Sequence, residues 1–203
     1  MSKNKFQHNN DGTTFIFIES KNKYFPGKYT AIIDTEDWDR VKEHCWSLLP
    51  NHRVLYVQAS ILHPEGGWRI PADGRRRRRR TTLPLHHLIL GKPEKGMVTD
   101  HINHNGLDNR KENLRFATHS QNRSNVRSRK NSSSQYLGVY WDKEKQKWRV
   151  RLKHNGKYYR LGRFTCEHQA ALTYNKKAKE LHGGFANLNV VPQEYVLKYE
   201  GEI

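Results

Sequence analysis

The sequence predicts an α+β protein. A strand–strand–helix core follows an N-terminal α+β extension and precedes a separate module of three antiparallel strands and one helix. Three observations predict it. Short apolar runs alternate with period two between Gly, Asn and Pro clusters, most clearly over Lys147 to Lys153 and Lys157 to Phe164. Glu167 to His182 has helical period, with Ala170, Ala171, Tyr174, Ala178 and Leu181 on one face. Thr118-x-x-Gln121 is a capping box directly after a short apolar strand.

The extension covers 1–82. Residues 1–27 read as a loose polar arm with one strand around Phe15-Ile16-Phe17-Ile18, and Tyr29 to Ile33 reads as a second strand. Asp34 or Thr35 caps a short helix to about His44, with Trp38, Val41 and Cys45 on one face. Trp46 to Leu49 and Arg53 to Ser60 read as strands. In the latter, Val54, Tyr56 and Gln58 alternate with Leu55, Val57 and Ala59, which leaves the buried face open. Trp38 and Trp46 are expected in the core. Pro64, Gly66, Gly67, Pro71 and Gly74 make 63–74 a loop. It ends in Arg75, Arg76, Arg77, Arg78, Arg79 and Arg80, a solvated run that also suits phosphate contact by counterion release.

The core covers 83–130. Leu83 to Leu90 is apolar around His86 and His87, which either face the central site or divide into one buried and one exposed histidine. After a turn at Gly91 to Gly96, Val98 to Ile102 is the first strand. Asn103 to Glu112 is a polar loop, Leu114 to Phe116 the second strand, and a helix runs from His119 to about Arg129. This order sets Asp100 and His101 at a strand end, opposite the first turn of the helix. His104, Asn105 and Asn109 read as solvated turn residues. His119 lies three residues before Asn122, on the same helix face.

A linker at 131–135 leads to the module at 136–189. Its strands are Tyr136 to Trp141, Lys147 to Lys153 and Lys157 to Phe164, and its helix is capped by Thr165 and ended by Gly183. Trp148, Val150, Leu152, Tyr159 and Leu161 face the helix, while Arg149, Arg151, Lys153, Tyr158 and Arg160 face away. Residues 190–203 form a mixed tail.

The 203 residues hold 37 Lys and Arg against 20 acids, a net charge of +17 that favours a polyanionic partner, nucleic acid first. The excess is concentrated in Arg75–Arg80 and in residues 123–182, where 16 basic residues stand against 4 acidic ones. A hydrophobic content of 34% implies modest cores. Cys45 and Cys166 form no disulfide framework and no Cys-x-x-Cys zinc pair, which fits an intracellular compartment. Met1 to Asn10 lacks the apolar segment of a secretion signal, and no stretch is long enough to span a membrane.

Residues 85–126 resemble the HNH nuclease family, whose fold is a strand–strand–helix (ββα-metal) unit. The "DH" at 100–101, then "LDNRKENLRFAT" and "SQNRSN", are close to the version found in phage and intron homing endonucleases. The resemblance implies that His101 is the general base, its ordinary pKa near ~6.5 suiting proton removal from water. It implies that Asp100 and Asn122 bind a metal and that Asn113 ties the loop beside the base. His119 stands as the alternative ligand or a phosphate contact, and Arg115 and Arg123 as further phosphate contacts. Carboxylate and amide oxygens suit one divalent ion, Mg²⁺ before Mn²⁺, rather than Zn²⁺. The family's products carry 5′-phosphate and 3′-hydroxyl ends.

Residues 135–189 resemble the plant APETALA/ethylene-response-factor DNA-binding domain through "YLGVYWDKEKQKWRVRL", "YYRLGRFTCEHQAALTYNKKAKELHG" and "FANLN". The implied DNA contacts are Arg149, Arg151, Lys153, Tyr158 and Arg160. Leu137 and Tyr140 stand where that family carries arginines.

The two resemblances together imply a site-specific DNA endonuclease of homing type, encoded by a phage or mobile element. It would act on double-stranded DNA in the host cytoplasm, as a monomer or weak dimer, with no small-molecule cofactor and no membrane. The rival readings are a non-catalytic DNA-binding regulator on a degenerate nuclease core and an RNA-binding protein of ribosomal type.

Overall fold

The computed structural model describes residues 3–51, 54–125 and 132–199 and has a mixed α+β architecture of small sheets with few helices. The chain divides into two compact units, 1–116 and 117–203.

In the first unit, β1 (Lys5–His8), β2 (Thr13–Asn22) and β3 (Phe25–Asp34) form an antiparallel sheet in that order. The N-terminal stretch is therefore a sheet rather than a loose arm. β2 and β3 pair from Thr13↔Asp34 to Asn22↔Phe25. The apolar signal is short because only Thr14, Ile16 and Ile18 of β2 and Ala31 and Ile33 of β3 are buried. The distal half of this hairpin is mostly exposed and is held by the hydrogen-bond ladder.

The helix expected to reach His44 is α1 (Trp38–Val41), one turn long after a 3-10 turn at Thr35–Asp37. Asp34 makes no cap bond; its Oδ2 accepts instead from the Lys111 amide at 2.8 Å.

β4 (Trp46–Asn51) and β5 (Val54–Leu62) pair, and a small hairpin of β6 (Trp68–Arg69) and β7 (Arg77–Arg78) precedes β8 (Arg80–Pro84), which closes a sheet in the order β4-β5-β8. Val57 and Ala59 are buried, which decides the inward face of β5. The arginine run is thus part of a hairpin and a sheet, not a structureless loop. α2 (Leu85–Leu90) follows, then β9 (Met97–His101) and β10 (Leu114–Thr118), which form a two-stranded sheet. Ile16, Ile33, Val41, Trp46, Val57, Leu85 and Leu114 belong to one core, with Trp38 packed against it. The N-terminal sheets and the 97–116 segment therefore bury their apolar faces together.

In the second unit, α3 (His119–Ser124) starts with the expected capping box: Gln121 N donates to Thr118 Oγ1 at 3.2 Å, and Thr118 N to Gln121 Oε1 at 2.8 Å. The expected run of this helix from 126 to Arg129 lies outside the described residues, as do Arg53, Asn131 and 200–203 of the tail. β11 (Val139–Asp142), β12 (Lys147–His154) and β13 (Lys157–Phe164) form an antiparallel sheet in that order.

α4 (Glu167–His182) packs on one face of this sheet through Ala170, Ala171, Tyr174 and Ala178 against Val139, Val150 and Leu152. Its N-cap is Cys166, not Thr165, and no side chain caps it. The first strand starts at Val139 rather than Tyr136, because Gly138 turns the chain at φ 76°. A Cβ there would meet the Tyr174 ring at 2.2 Å. The serines expected as linker are bonded: Trp141 N donates to Ser133 Oγ at 2.9 Å, and Ser134 Oγ to Glu167 at 2.6 Å. The tail holds α5 (Gln193–Tyr199), whose Tyr195 stacks on His168 at 3.8 Å.

Candidate active site and nucleic-acid interface

The loop between β9 and β10 is rich in Asn and Asp, yet most of it is not solvated. It docks on the edge of β3: Ile32 N donates to Leu107 O at 2.8 Å, and Asn109 N to Ile32 O at 2.7 Å. Gly106 permits this approach, since a Cβ would lie 2.4 Å from Leu55 O. Asp108 is buried and accepts from Asn103 Nδ2 at 2.8 Å and from Arg110 Nη2 and Nε at 2.8 and 2.9 Å. Burial pulls the Asp108 carboxyl upward, but the Arg110 and Asn103 bonds outweigh it and hold the pKa below the ordinary carboxylate value. Asn113 joins the two ends of the loop. Its Oδ1 accepts from Asn103 N at 2.9 Å, and its Nδ2 donates to Asp108 O at 2.7 Å.

This scaffold presents Asn109, 0% exposed, to His101, 5% exposed. Asn109 Nδ2 donates to Gly106 O at 3.3 Å, which turns its Oδ1 toward His101 Nε2 at 3.4 Å. An amide oxygen only accepts, so Nε2 carries the proton and Nδ1 is the basic nitrogen. Asn109 is therefore not a solvated turn residue. Asn105 and His104 do shape turns: Asn105 Oδ1 accepts from Leu107 N, and His104 sits at φ 61°. Burial lowers the His101 pKa, opposed by the Asn109 bond and by the charges of Asp100 and Asp108. The ring lies 5.4 Å from His86 and 5.5 Å from Tyr56.

Asp100 is 6% exposed and accepts from Arg115 Nε at 2.9 Å and Nη2 at 2.8 Å. Arg115 is thus a partner of that carboxylate, not a loose surface charge. Asp100, His101, Asn113 and Arg115 are all held in the first unit. Asn122 and His119 are exposed on α3 in the second, where His119 O accepts from Arg123 Nε at 3.2 Å.

Asn109 escaped the sequence reading, which leaves the placement of His86 open between two alternatives. Asn109 was camouflaged by its turn-like neighbours. His86 is partly buried on α2, and its Nδ1 has no hydrogen-bond partner among the described residues. The only sequence signal for His86 was a pair of histidines in an apolar run.

No group of three or more His, Cys, Asp or Glu side chains able to hold a metal occurs among the described residues. A closed zinc-type cage does not match this donor set. The Asp100 carboxylate is an oxygen donor of the kind that a hard divalent ion takes.

The outer face of the β11–β13 sheet is cationic and aromatic. A register shift between Val150 and Arg151 leaves Leu161 as an extra residue in β13. Arg151 then faces Arg160, and Arg149 faces Arg163. Strict alternation had hidden Arg163, which the bulge brings opposite Arg149 and which pairs with Asp142 at 3.0 Å. Arg151 lies 5.3 Å from the Tyr140 ring, and Lys153 lies 5.2 Å from the Tyr158 ring.

A buried, loop-held histidine thus lies beside a strand-end carboxylate, and comparison with known proteins finds likenesses in this segment. A family model described as HNH endonuclease matches residues 87–124. The chain is 33% identical over 96 residues to Protein 3.8 of Escherichia phage T7, covering 47% of this chain and 78% of that protein. It is 38% identical over 104 residues to an uncharacterised HNH endonuclease of Acanthamoeba polyphaga mimivirus, covering 51% of this chain and 53% of that protein. The chain thus spans about half the length of the mimivirus relative. No solved structure matches. The chain belongs to the HNH endonuclease family. Nucleases of this family generally use a divalent metal.

Proposed function

We propose that this chain is a site-specific DNA endonuclease of homing type, hydrolysing phosphodiester bonds of double-stranded DNA at a metal-assisted centre. The observation that carries the reading is the buried His101–Asn109 pair beside the Asp100 carboxylate, inside the segment that matches the family model.

His101 Nδ1 takes the proton of the attacking water, while Asn109 holds Nε2–H and fixes the ring. Asn113 keeps the loop in register, so that the base does not drift from the reacting water. Arg115 balances the Asp100 carboxylate before substrate arrives and is positioned to share its charge with the scissile phosphate. Asp100 and Asn122 would hold the ion, Mg²⁺ before Mn²⁺, with His119 as the alternative helix ligand. Such an ion, when bound, neutralises charge on the leaving 3′-oxygen. The products carry 5′-phosphate and 3′-hydroxyl ends.

The outer sheet face selects or holds the target through Arg149, Arg151, Lys153, Tyr158 and Arg160, as in the plant-type module that this segment resembles, and Arg75–Arg80 adds phosphate contacts. Relatives in a phage and a giant virus support encoding by a phage or mobile element and action in the host cytoplasm.

The test is incubation of wild type and His101→Ala with supercoiled plasmid from the source genome and Mg²⁺, with an EDTA control. Metal-dependent nicking or linearisation by wild type and not by the variant supports the reading. Equal cutting by both removes His101 from the mechanism. Tight, salt-sensitive duplex binding without cutting by either would leave a DNA-binding regulator.

A further inference from the structure

The β6–β7 hairpin carries a tryptophan that the fold does not use. Trp68 is 50% exposed and belongs to neither hydrophobic core. It pairs with Arg78 across the hairpin, and residues directly opposite on paired strands share a face. The Arg78 guanidinium lies 5.5 Å from the indole centroid, and that of Arg76 lies 4.4 Å away. Arg69 and Arg77 occupy the other face, where Arg77 is bonded to Asp73. Arg80 is bonded to Ser60 in the adjoining sheet. The run is thus sorted: Arg76 and Arg78 flank an exposed indole, while Arg77 and Arg80 are bonded elsewhere in the protein. The hairpin is anchored at its base, where His63 N donates to Arg79 O and Arg79 N to Gly67 O, both at 3.0 Å.

A duplex offers phosphates but keeps its base faces stacked, so duplex binding gives arginines a role and leaves Trp68 without one. An unpaired nucleotide offers both. Its base stacks on the indole, and its flanking phosphates meet the two guanidiniums that the indole has already ordered. We propose that the Trp68–Arg76–Arg78 face binds an unpaired nucleotide of single-stranded DNA, such as one freed beside a nick. The proposal rests on the nucleic-acid reading above and adds strand preference to it.

The test uses the full chain and two labelled probes: an oligothymidylate of about 20 nucleotides and a mixed-sequence duplex of the same length. Fluorescence anisotropy is read for wild type, Trp68→Ala, Trp68→Phe and the Arg76→Gln/Arg78→Gln double variant, each checked for an unchanged melting curve. Loss of one stacking contact weakens oligothymidylate binding by about tenfold in Trp68→Ala, with duplex affinity within about twofold. Trp68→Phe keeps most of the affinity, and the double variant binds oligothymidylate more weakly, with a shallower dependence of log affinity on log salt. Equal losses on both probes, or an unchanged oligothymidylate affinity in Trp68→Ala, overturns the proposal and leaves the nuclease reading intact. Failure of wild type to bind either probe overturns both.

Discussion

The Nε2 of His101 lies 3.4 Å from the Oδ1 of Asn109, and both side chains are buried. The pair fixes which ring nitrogen carries the proton, and it is made by a loop whose composition suggests only turns. Replacing Asn109 with Ala frees the ring without removing the base. The nicking rate is expected to fall by about 10- to 100-fold, the usual cost of losing a group that orients a site residue. Initial rates on supercoiled plasmid check this, with duplex affinity measured alongside and expected to hold.

Asn113 bonds to both Asn103 and Asp108 from a buried position. In Asn113→Ala the Asn103 amide and the Asp108 carbonyl each lose a partner. A destabilisation of about 2 kcal/mol is expected, with loss of cutting. Urea unfolding gives the first number. A variant of unchanged stability would show that the loop is held elsewhere.

His86 makes stability depend on pH. Burial, helped by His101 and His87, pushes its pKa down to about 3 in the folded chain, while the unfolded value is near ~6.5. The unfolded chain therefore takes up this proton first as pH falls. The group's contribution is complete above about pH 6.5 and is lost progressively toward pH 3. Melting temperatures across that range should fall less steeply for His86→Leu than for wild type. Parallel curves would remove His86 from the acid response.

On the outer sheet face, Arg149→Ala, Arg151→Ala and Arg163→Ala are each expected to weaken duplex binding. A variant that removes a phosphate contact also lowers the slope of log affinity against log salt by about 1. Titrations at several salt concentrations separate phosphate contacts from base contacts, which change affinity and leave the slope. Arg163 tests the bulge directly, because strict alternation would point it the other way.

Gly138→Ala puts a Cβ 2.2 Å from the Tyr174 ring at a position with φ 76°. The combined overpacking and left-handed strain is expected to cost about 3 kcal/mol or more. Unfolding followed by near-ultraviolet circular dichroism checks it. A variant as stable as wild type would mean that Tyr174 moves aside.

Local rules made several elements legible. The Thr118–Gln121 box starts α3, and the helical period of Glu167 to His182 is α4. Alternation sorted Trp148, Val150 and Leu152 from Arg149 and Lys153 correctly. Each signal lies within one element and is set by backbone geometry. The N-terminal sheet was harder to see, because half of its hairpin is exposed and carries no apolar pattern. The helix after Asp34 was overestimated at its C-terminal end, and its would-be cap bonds instead to Lys111, 77 residues away.

The sequence by itself determined the α+β class, the cationic character, the capping box and the crowding of Asp100, His101 and Asn113 into one short stretch. Only the tertiary structure decided that Asn109 meets His101, that Arg115 pairs with Asp100, that His86 flanks the base, and that Arg76 and Arg78 of the arginine run lie by Trp68 on a hairpin. The reason is physical. Periodicity and capping are local and leave a trace in adjacent residues. The burial of a polar loop depends on a strand edge elsewhere in the chain, here Ile32 of β3, which supplies the backbone partners that let asparagine and aspartate leave water.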